Sequence, residues 1–180
     1  IRGKGQDYAL KAFSVIHKLI PTWKLRFVGG DMGLAKNKAF LSELKNLALN
    51  LGIANKIEWF GFTEEVELEY KNADIVLNFS ESESFSITCL EALFFGRPVI
   101  ASDCGGPAEI IDHGETGLLV PNKHVEAMSK AMLYLASDKQ RIMKMGKKAS
   151  EIVRIKFSLA QTSMKLKAVY QSIIKIHQNE

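Results

Sequence analysis

Ile75-Val76-Leu77-Asn78-Phe79 runs straight into Ser80-Glu81-Ser82-Glu83-Ser84-Phe85-Ser86-Ile87-Thr88-Cys89-Leu90-Glu91. The first five residues are apolar apart from Asn78, which suits a buried strand. The serine- and glutamate-rich stretch reads as a loop, and the residues after it open a helix. A strand that ends in a polar loop and turns into a helix is the repeating unit of α/β sheets, whose ligands sit at the carboxyl ends of the strands. The first turn of such a helix offers unpaired N–H groups and the positive end of a dipole, a natural anion site. Glu83 falls in the loop and Glu91 about one turn inside the helix. On one continuous helix they would diverge by roughly 80°, so they converge on a ligand only if Glu83 lies off it. Thr88 and Glu91 also spell a Ser/Thr-x-x-Glu capping box, which would account for both without any ligand.

The same alternation extends in both directions. Leu25-Arg26-Phe27-Val28 stops at Gly29-Gly30, and Ile57-Glu58-Trp59-Phe60 stops at Gly61. Pro98-Val99-Ile100-Ala101-Ser102 and Gly117-Leu118-Leu119-Val120 are similar short runs. Each reads as a strand bounded by turn residues. Helical periodicity lies between them: Ala9, Ala12, Phe13, Ile16 and Leu19 up to Pro21, and Leu41, Leu44, Leu47, Ala48 and Leu51 up to Gly52. Further helices are expected near 64–72, 88–95, 124–136, 138–150 and 158–176. Strands alternating with helices imply a parallel sheet with right-handed crossovers. The expectation is one α/β domain over residues 1–180, a Rossmann-like parallel sheet flanked by helices. The loops after the strands (Gly29-Gly30, Gly61-Phe62-Thr63, Ser80 onward, Asp103 to Gly106) should share one edge.

Composition removes several alternatives. The 180 residues are 47% hydrophobic and 24% charged, with 13 Gly and 4 Pro, which excludes a disordered or collagenous chain. No apolar run approaches the roughly 20 residues that span a bilayer, and Lys4, Asp7 and Lys11 break any signal-peptide core. Cys89 and Cys104 form no CxxC, so a cytoplasmic location is expected. The net charge of +4 hides an asymmetry. Residues 138–180 carry ten lysines and arginines against three acidic residues, leaving residues 1–137 at −3. A solvated helix face is the plain account of this basic segment, and an anionic membrane surface is the other. No RNP-like aromatic pattern or zinc spacing supports nucleic acid. The four histidines are scattered and read as surface residues, and Cys89 reads as core packing.

The usual nucleotide motifs are absent. The chain contains no G-x-G-x-x-G and no G-x-x-x-x-G-K-[S/T]. It has no His/Cys cluster and no D-x-D to hold a divalent metal on a diphosphate, so neither metal nor cofactor is expected. A leaving phosphate would then rely on protein cations and amides, and Lys4 in Arg2-Gly3-Lys4-Gly5 is a candidate.

Read in order, the motifs carry a resemblance. They are Lys4-Gly5-x-Asp7, Phe27-Val28-Gly29, Phe60-Gly61, Ala73-Asp74, Ser80-x-x-Glu83-Ser84-Phe85 and Glu91-Ala92-Leu93. Gly96-x-Pro98-Val99-Ile100-Ala101-Ser102, Gly105-Gly106-x-x-Glu109 and Gly114-Glu115-Thr116-Gly117-Leu118-Leu119-Val120 continue the series. The whole resembles the C-terminal, donor-binding domain of a family 4 retaining glycosyltransferase, one half of a GT-B fold. The likeness covers nearly all 180 residues and weakens only in about the last 40, and its most specific element is the Glu-x7-Glu spacing from Glu83 to Glu91.

The resemblance implies a role for each matching residue. Glu91 would hold the ribose hydroxyls of a nucleoside-diphosphate sugar, and Glu83 would contact the sugar being transferred. The amides around Ser86, Ile87 and Thr88, with Lys4, would bind the diphosphate, with Phe85 in the same loop. Gly61, Phe62 and Thr63 would flank the base, Gly29 would admit the donor, and Asp103, Gly105 and Gly106 would shape the sugar end. The implied reaction is sugar transfer with retention to a saccharide or lipid-linked acceptor, with the acceptor half on an N-terminal domain before Ile1. Two departures stand out. Ser86 occupies a position where the family has glycine, and the family's arginine before the lysine would fall before Ile1, leaving Arg2 as the candidate substitute. The helix after Lys4 also calls for a strand ahead of Ile1. Two other classes stay open: a non-catalytic α/β nucleotide-binding module using the carboxylates as caps, and a GT-B sugar-nucleotide epimerase.

Overall fold

Val99 and Ala101 of one strand turn to one apolar cluster while Ile100 between them turns to another. That alternation is the two-residue period of a strand with a core on both faces. The computed structural model describes residues 1–177, with side chains through 174. Five strands run between helices: β1 (Leu25–Val28), β2 (Ile57–Phe60), β3 (Val76–Asn78), β4 (Val99–Asp103) and β5 (Gly117–Pro121). All pairings are parallel, as the crossover pattern requires. The helices are α1 (Gln6–Ile16), α2 (Ala35–Asn50), α3 (Val66–Asn72), α4 (Ile87–Phe94), α5 (Gly106–Ile110), α6 (Val125–Ala136), α7 (Lys139–Lys156) and α8 (Leu159–His177).

The helices form two outer layers. Leu10 and Phe13 of α1, Phe40 and Leu44 of α2 and Met128 and Leu135 of α6 bury one face. Tyr70 of α3, Cys89, Ala92 and Leu93 of α4, and Ala149 and Val153 of α7 bury the other. The expected Rossmann-like α/β architecture is therefore present, with differences in detail. Helix α1 ends at Ile16, short of the periodic Leu19, because Leu19 N–H tightens back to the Ile16 carbonyl at 2.8 Å. Helix α5 lies in a Gly-Gly-Pro stretch too short for periodicity to show. Helix α7 runs six residues beyond the expected 150. Trp59 stacks on its register partner Phe27, with centroids 4.9 Å apart, and so is structural.

The strands fall into two sheets, β1-β2 and β3-β4-β5, and no ladder joins them among the described residues. Side chains bridge the break instead. Arg26 of β1 reaches Glu69 of α3 (2.9 Å) and lies 4.3 Å over the Phe60 ring. Glu81 N–H donates to the Gly3 carbonyl at 2.9 Å, tying the segment before α1 to the loop after β3.

Candidate functional site

Helix α4 begins at Ile87, and its cap is Ser86. The Ser86 hydroxyl accepts the Cys89 N–H at 3.4 Å and the Asn78 side-chain N–H at 2.7 Å. Ser86 holds φ +79, the left-handed region that glycine enters freely, which explains the glycine expected there by resemblance. Asn78 stabilises the departure: its amide bonds the Ser86 hydroxyl, and its Oδ1 accepts the Ser80 N–H at 3.2 Å. Ser86→Ala keeps the strained φ, removes the cap and leaves the buried Asn78 amide with only the weak Cys89 sulfur acceptor at 3.4 Å, an expected loss of about 2 kcal/mol. Ser86→Gly relieves the backbone and should cost less. Thermal unfolding of both variants checks the order.

With Ser86 as cap, the Thr88–Glu91 capping box does not form. Thr88 sits at the second helical position, not at the N-cap, and Glu91 is directed elsewhere. Its Oε2 accepts the Tyr70 hydroxyl at 3.0 Å. The account of Glu91 as a helix cap is thereby corrected, because the loop residue at 86 takes the cap. The Ile87 and Thr88 N–H groups, in the first turn, lack intrahelical acceptors. Ile87 and Thr88 are both exposed residues, so the start of α4 lies at the surface.

Glu83 lies off the helix, as convergence with Glu91 demands. Lys4 donates to its Oε1 at 2.8 Å, and the Ser80 hydroxyl donates to the same oxygen at 2.8 Å. Burial alone pushes the Glu83 carboxyl up, but the hydrogen bonds from Lys4 and Ser80 outweigh it and hold it below the ordinary carboxylate range. Its charge thus stabilises the fold above the unfolded carboxyl pKa, and that contribution is lost as pH falls through the folded value. The Glu83 carbonyl accepts Gly106 N–H at 2.7 Å, clamping the loop to α5. A Cβ on Gly106 would lie 2.4 Å from Phe85 backbone atoms, so this close approach requires glycine. Asn122 donates to the Glu81 carbonyl (2.8 Å) and Lys123 pairs with the Glu81 carboxylate (2.6 Å).

Lys4, Ser80, Glu83, the α4 start and the Gly105-Gly106 turn therefore share one place. Asp103 ends β4 there and is exposed. Gly29 N–H bonds the carbonyls of Phe60 and Gly61 at the tips of β1 and β2, and Phe62 is 78% exposed beside them. Two expected residues behave differently. Arg2 pairs with Glu43 of α2 (2.6 Å) and stacks over Phe40, so it is turned away from Lys4 and Glu83. Phe85 sets its ring edge-on to Phe157 in the core, leaving its backbone at the site. Burial pushes the Cys89 thiol up to about 11, in keeping with a packing role. His113 and His124 accept the backbone N–H groups of Leu119 and Ala127.

Tyr70, Asn78, Asn122 and Lys123 were not legible as site residues. The rule that ligands gather at strand ends would have reached Asn122 and Lys123, which follow β5. A cleft of about 590 Å³ between α4, α7 and the start of α8 meets the site only at Glu91. It is lined by Leu90, Phe94, Phe95, Phe157 and Leu159. Its Arg154 is committed to the ring and carbonyl of Phe94, so a diphosphate finds few donors there.

Residues 1–152 match the model of the family described as glycosyl transferases group 1. The chain belongs to this family. Across 171 residues it is 31% identical to the lipopolysaccharide core biosynthesis mannosyltransferase LpcC of Rhizobium leguminosarum, covering 95% of the chain and 48% of that protein. It is 33% identical over 175 residues to a D-inositol 3-phosphate glycosyltransferase of Corynebacterium glutamicum, covering 95% of the chain and 41% of the relative. The chain thus spans less than half the length of these curated relatives. The solved C-terminal domain of a group 1 glycosyl transferase (LpcC) from Francisella tularensis superposes with TM-score 0.81 at 27% identity, over 88% of this chain and 82% of that one. Anabaena HepE in complex with UDP superposes with TM-score 0.87 at 22% identity, over 96% of this chain and 46% of that one, and shares the fold. Among the described residues, no helix is long and apolar enough to cross a membrane.

Proposed function

We propose that this group 1 glycosyltransferase chain is the donor-binding half of a family 4 retaining enzyme. It would take a nucleoside-diphosphate sugar and pass the sugar to a saccharide or lipid-linked acceptor. The observation that carries this is the joining of Lys4 to Glu83 at 2.8 Å beside the open first turn of α4. A cation and free amides beside a carboxylate suit a diphosphate joined to a sugar. The UDP complex of the structural neighbour HepE supports the same class of donor.

In this reading the Ile87 and Thr88 amides and Lys4 take the charge of the diphosphate, with no metal assigned to it. Binding draws Lys4 toward the phosphates and frees Glu83 for the sugar hydroxyls. An acceptor hydroxyl bonds to the anomeric carbon as the bond to the phosphate oxygen breaks. The electron pair leaves with the nucleoside diphosphate, which takes up the acceptor proton. Preorganised donors at the leaving oxygen are the main source of rate.

The split sheet fits a half-enzyme. A doubly wound sheet in its common order places its first strand between the flanks seen here as β2-β1 and β3-β4-β5. We assign that strand, and the acceptor-binding domain, to chain preceding residue 1. The enzyme would work on the cytoplasmic side. There α8, apolar along Leu166, Val169 and Tyr170 and carrying Lys165 and Lys167, would meet the acceptor half or the anionic headgroups beside a lipid-linked acceptor.

Titration calorimetry of the chain with UDP, GDP and ADP tests the reading. One of the three should give saturable heat, and Glu91→Ala should weaken it by about 10-fold or more, as for loss of hydrogen bonds to a charged group. Absence of heat with all three would sink the proposal. Unchanged affinity in Glu91→Ala would favour a binding module whose carboxylate is structural.

A further inference from the structure

Glu91 is held from outside its own helix. Tyr70, in the last turns of α3, is 9% exposed and belongs to the same core as Cys89, Ala92 and Leu93 of α4. Its ring stacks on Phe95 with centroids 5.6 Å apart and an interplanar angle of 18°. Its hydroxyl lies 3.0 Å from Glu91 Oε2 and 3.4 Å from the Thr88 carbonyl. A phenol has one proton to donate, and the nearer, charged acceptor takes it. No lysine or arginine pairs with Glu91 among the described residues, and Oε1 makes no hydrogen bond to them.

We infer that Tyr70 is a positioning residue for Glu91, fixing one carboxylate oxygen so that the other meets the vicinal hydroxyls of the donor's ribose. The inference rests on the reading of Glu91 as the ribose ligand. The choice of a phenol has a physical logic. A lysine or arginine in its place would satisfy the carboxylate and compete with incoming hydroxyl donors. A single neutral donor orients the group and leaves most of its acceptor capacity to the ligand. Burial and the adjacent Glu91 charge push the Tyr70 phenol up, so it stays protonated and remains a donor. The stacked ring and the closed core keep the hydroxyl in place before any ligand arrives, which is preorganisation in the ordinary sense. Glu69, the residue before Tyr70, is held by Arg26 of β1. The two sheet flanks therefore both anchor the helix that carries the phenol.

The readout is discrimination between ribose and deoxyribose, which a merely structural tyrosine would not alter. Calorimetry compares UDP, GDP and ADP with their 2′-deoxy counterparts on the folded chain. The wild-type chain should prefer the ribonucleotide by about 10-fold, the effect expected of a hydrogen bond to a charged group. Tyr70→Phe keeps the ring stack and should compress that preference several-fold, weakening the ribonucleotide more than the deoxynucleotide, which keeps only its 3′-hydroxyl for Glu91. Glu91→Ala should abolish it, and adding Tyr70→Phe to Glu91→Ala should change nothing further. Incorporation of 3-fluorotyrosine at position 70, a stronger donor of similar shape, should widen the preference and covers a failure of Tyr70→Phe to fold. A preference unmoved by either change at position 70, yet lost in Glu91→Ala, overturns the inference alone. A preference retained in Glu91→Ala overturns the ribose role of Glu91 and the inference with it.

Discussion

Replacing Lys4 with methionine in the full-length enzyme should lower sugar transfer by about 10²–10³-fold, the usual cost of one preorganised charge-stabilising donor. Methionine keeps most of the length and the apolar stem of lysine while removing the ammonium charge and its donors. Ground-state donor affinity should fall much less, because the charge on the leaving oxygen grows in the transition state. The same variant removes the hydrogen bond that helps hold Glu83 below the ordinary carboxylate range. Its acid unfolding profile should therefore flatten, since less of its stability depends on keeping Glu83 ionised as pH falls. Steady-state kinetics with saturating donor and an acid melting series measure the two effects. A transfer rate within about threefold of wild type would remove Lys4 from the chemistry, against the donor costs expected.

Gly5→Ala should be the most destabilising single methyl group in the site. Gly5 sits at φ +76 ahead of α1, and a Cβ there would lie 2.0 Å from the Phe79 carbonyl oxygen. The left-handed backbone costs roughly 1–2 kcal/mol for alanine. Displacing the Phe79 backbone adds about 1–3 kcal/mol by analogy with overpacking. At this chain length a loss of about 3 kcal/mol lowers the melting temperature by roughly 10 °C. Gly3→Ala is the control, for Gly3 has φ +85 but nothing within 4 Å of the added methyl. It should lose only the backbone part. Equal losses in the two variants would show that crowding against Phe79 contributes nothing. The Gly5 variant should also bind nucleotide poorly, because Lys4 is adjacent and the Phe79 backbone leads into Ser80 and Glu83.

The contrast between the two glycines marks where sequence reading stops. Both stand in one short Gly-x-Gly segment, and either suits a turn. Only the packing of that segment against the end of β3 makes one of them indispensable. Ser86 shows the same boundary. Its departure from glycine was visible along the chain, but its compensation by Asn78, eight residues earlier, depends on where β3 places that amide. The two carboxylates divide likewise. Glu83 was expected off the helix and is found there, whereas the capping role open to Glu91 disappears once Ser86 takes the cap.

The sequence by itself determined the alternation of five strands with helices, the parallel sense of the pairing and the edge at which the loops after the strands gather. These follow from apolar periodicity and turn residues, which act over a few positions of the chain. It also marked Lys4, Glu83 and Glu91 by kind and spacing. The tertiary structure alone decided that Arg2 turns to Glu43, that Phe85 serves the core, that the strands form two flanks, and that Tyr70 grips Glu91. Each of these rests on residues that are distant in the chain and become neighbours only after the helices pack, or on edges left unpaired. Local chemistry chooses the elements, and which groups then meet is settled by how those elements share two cores.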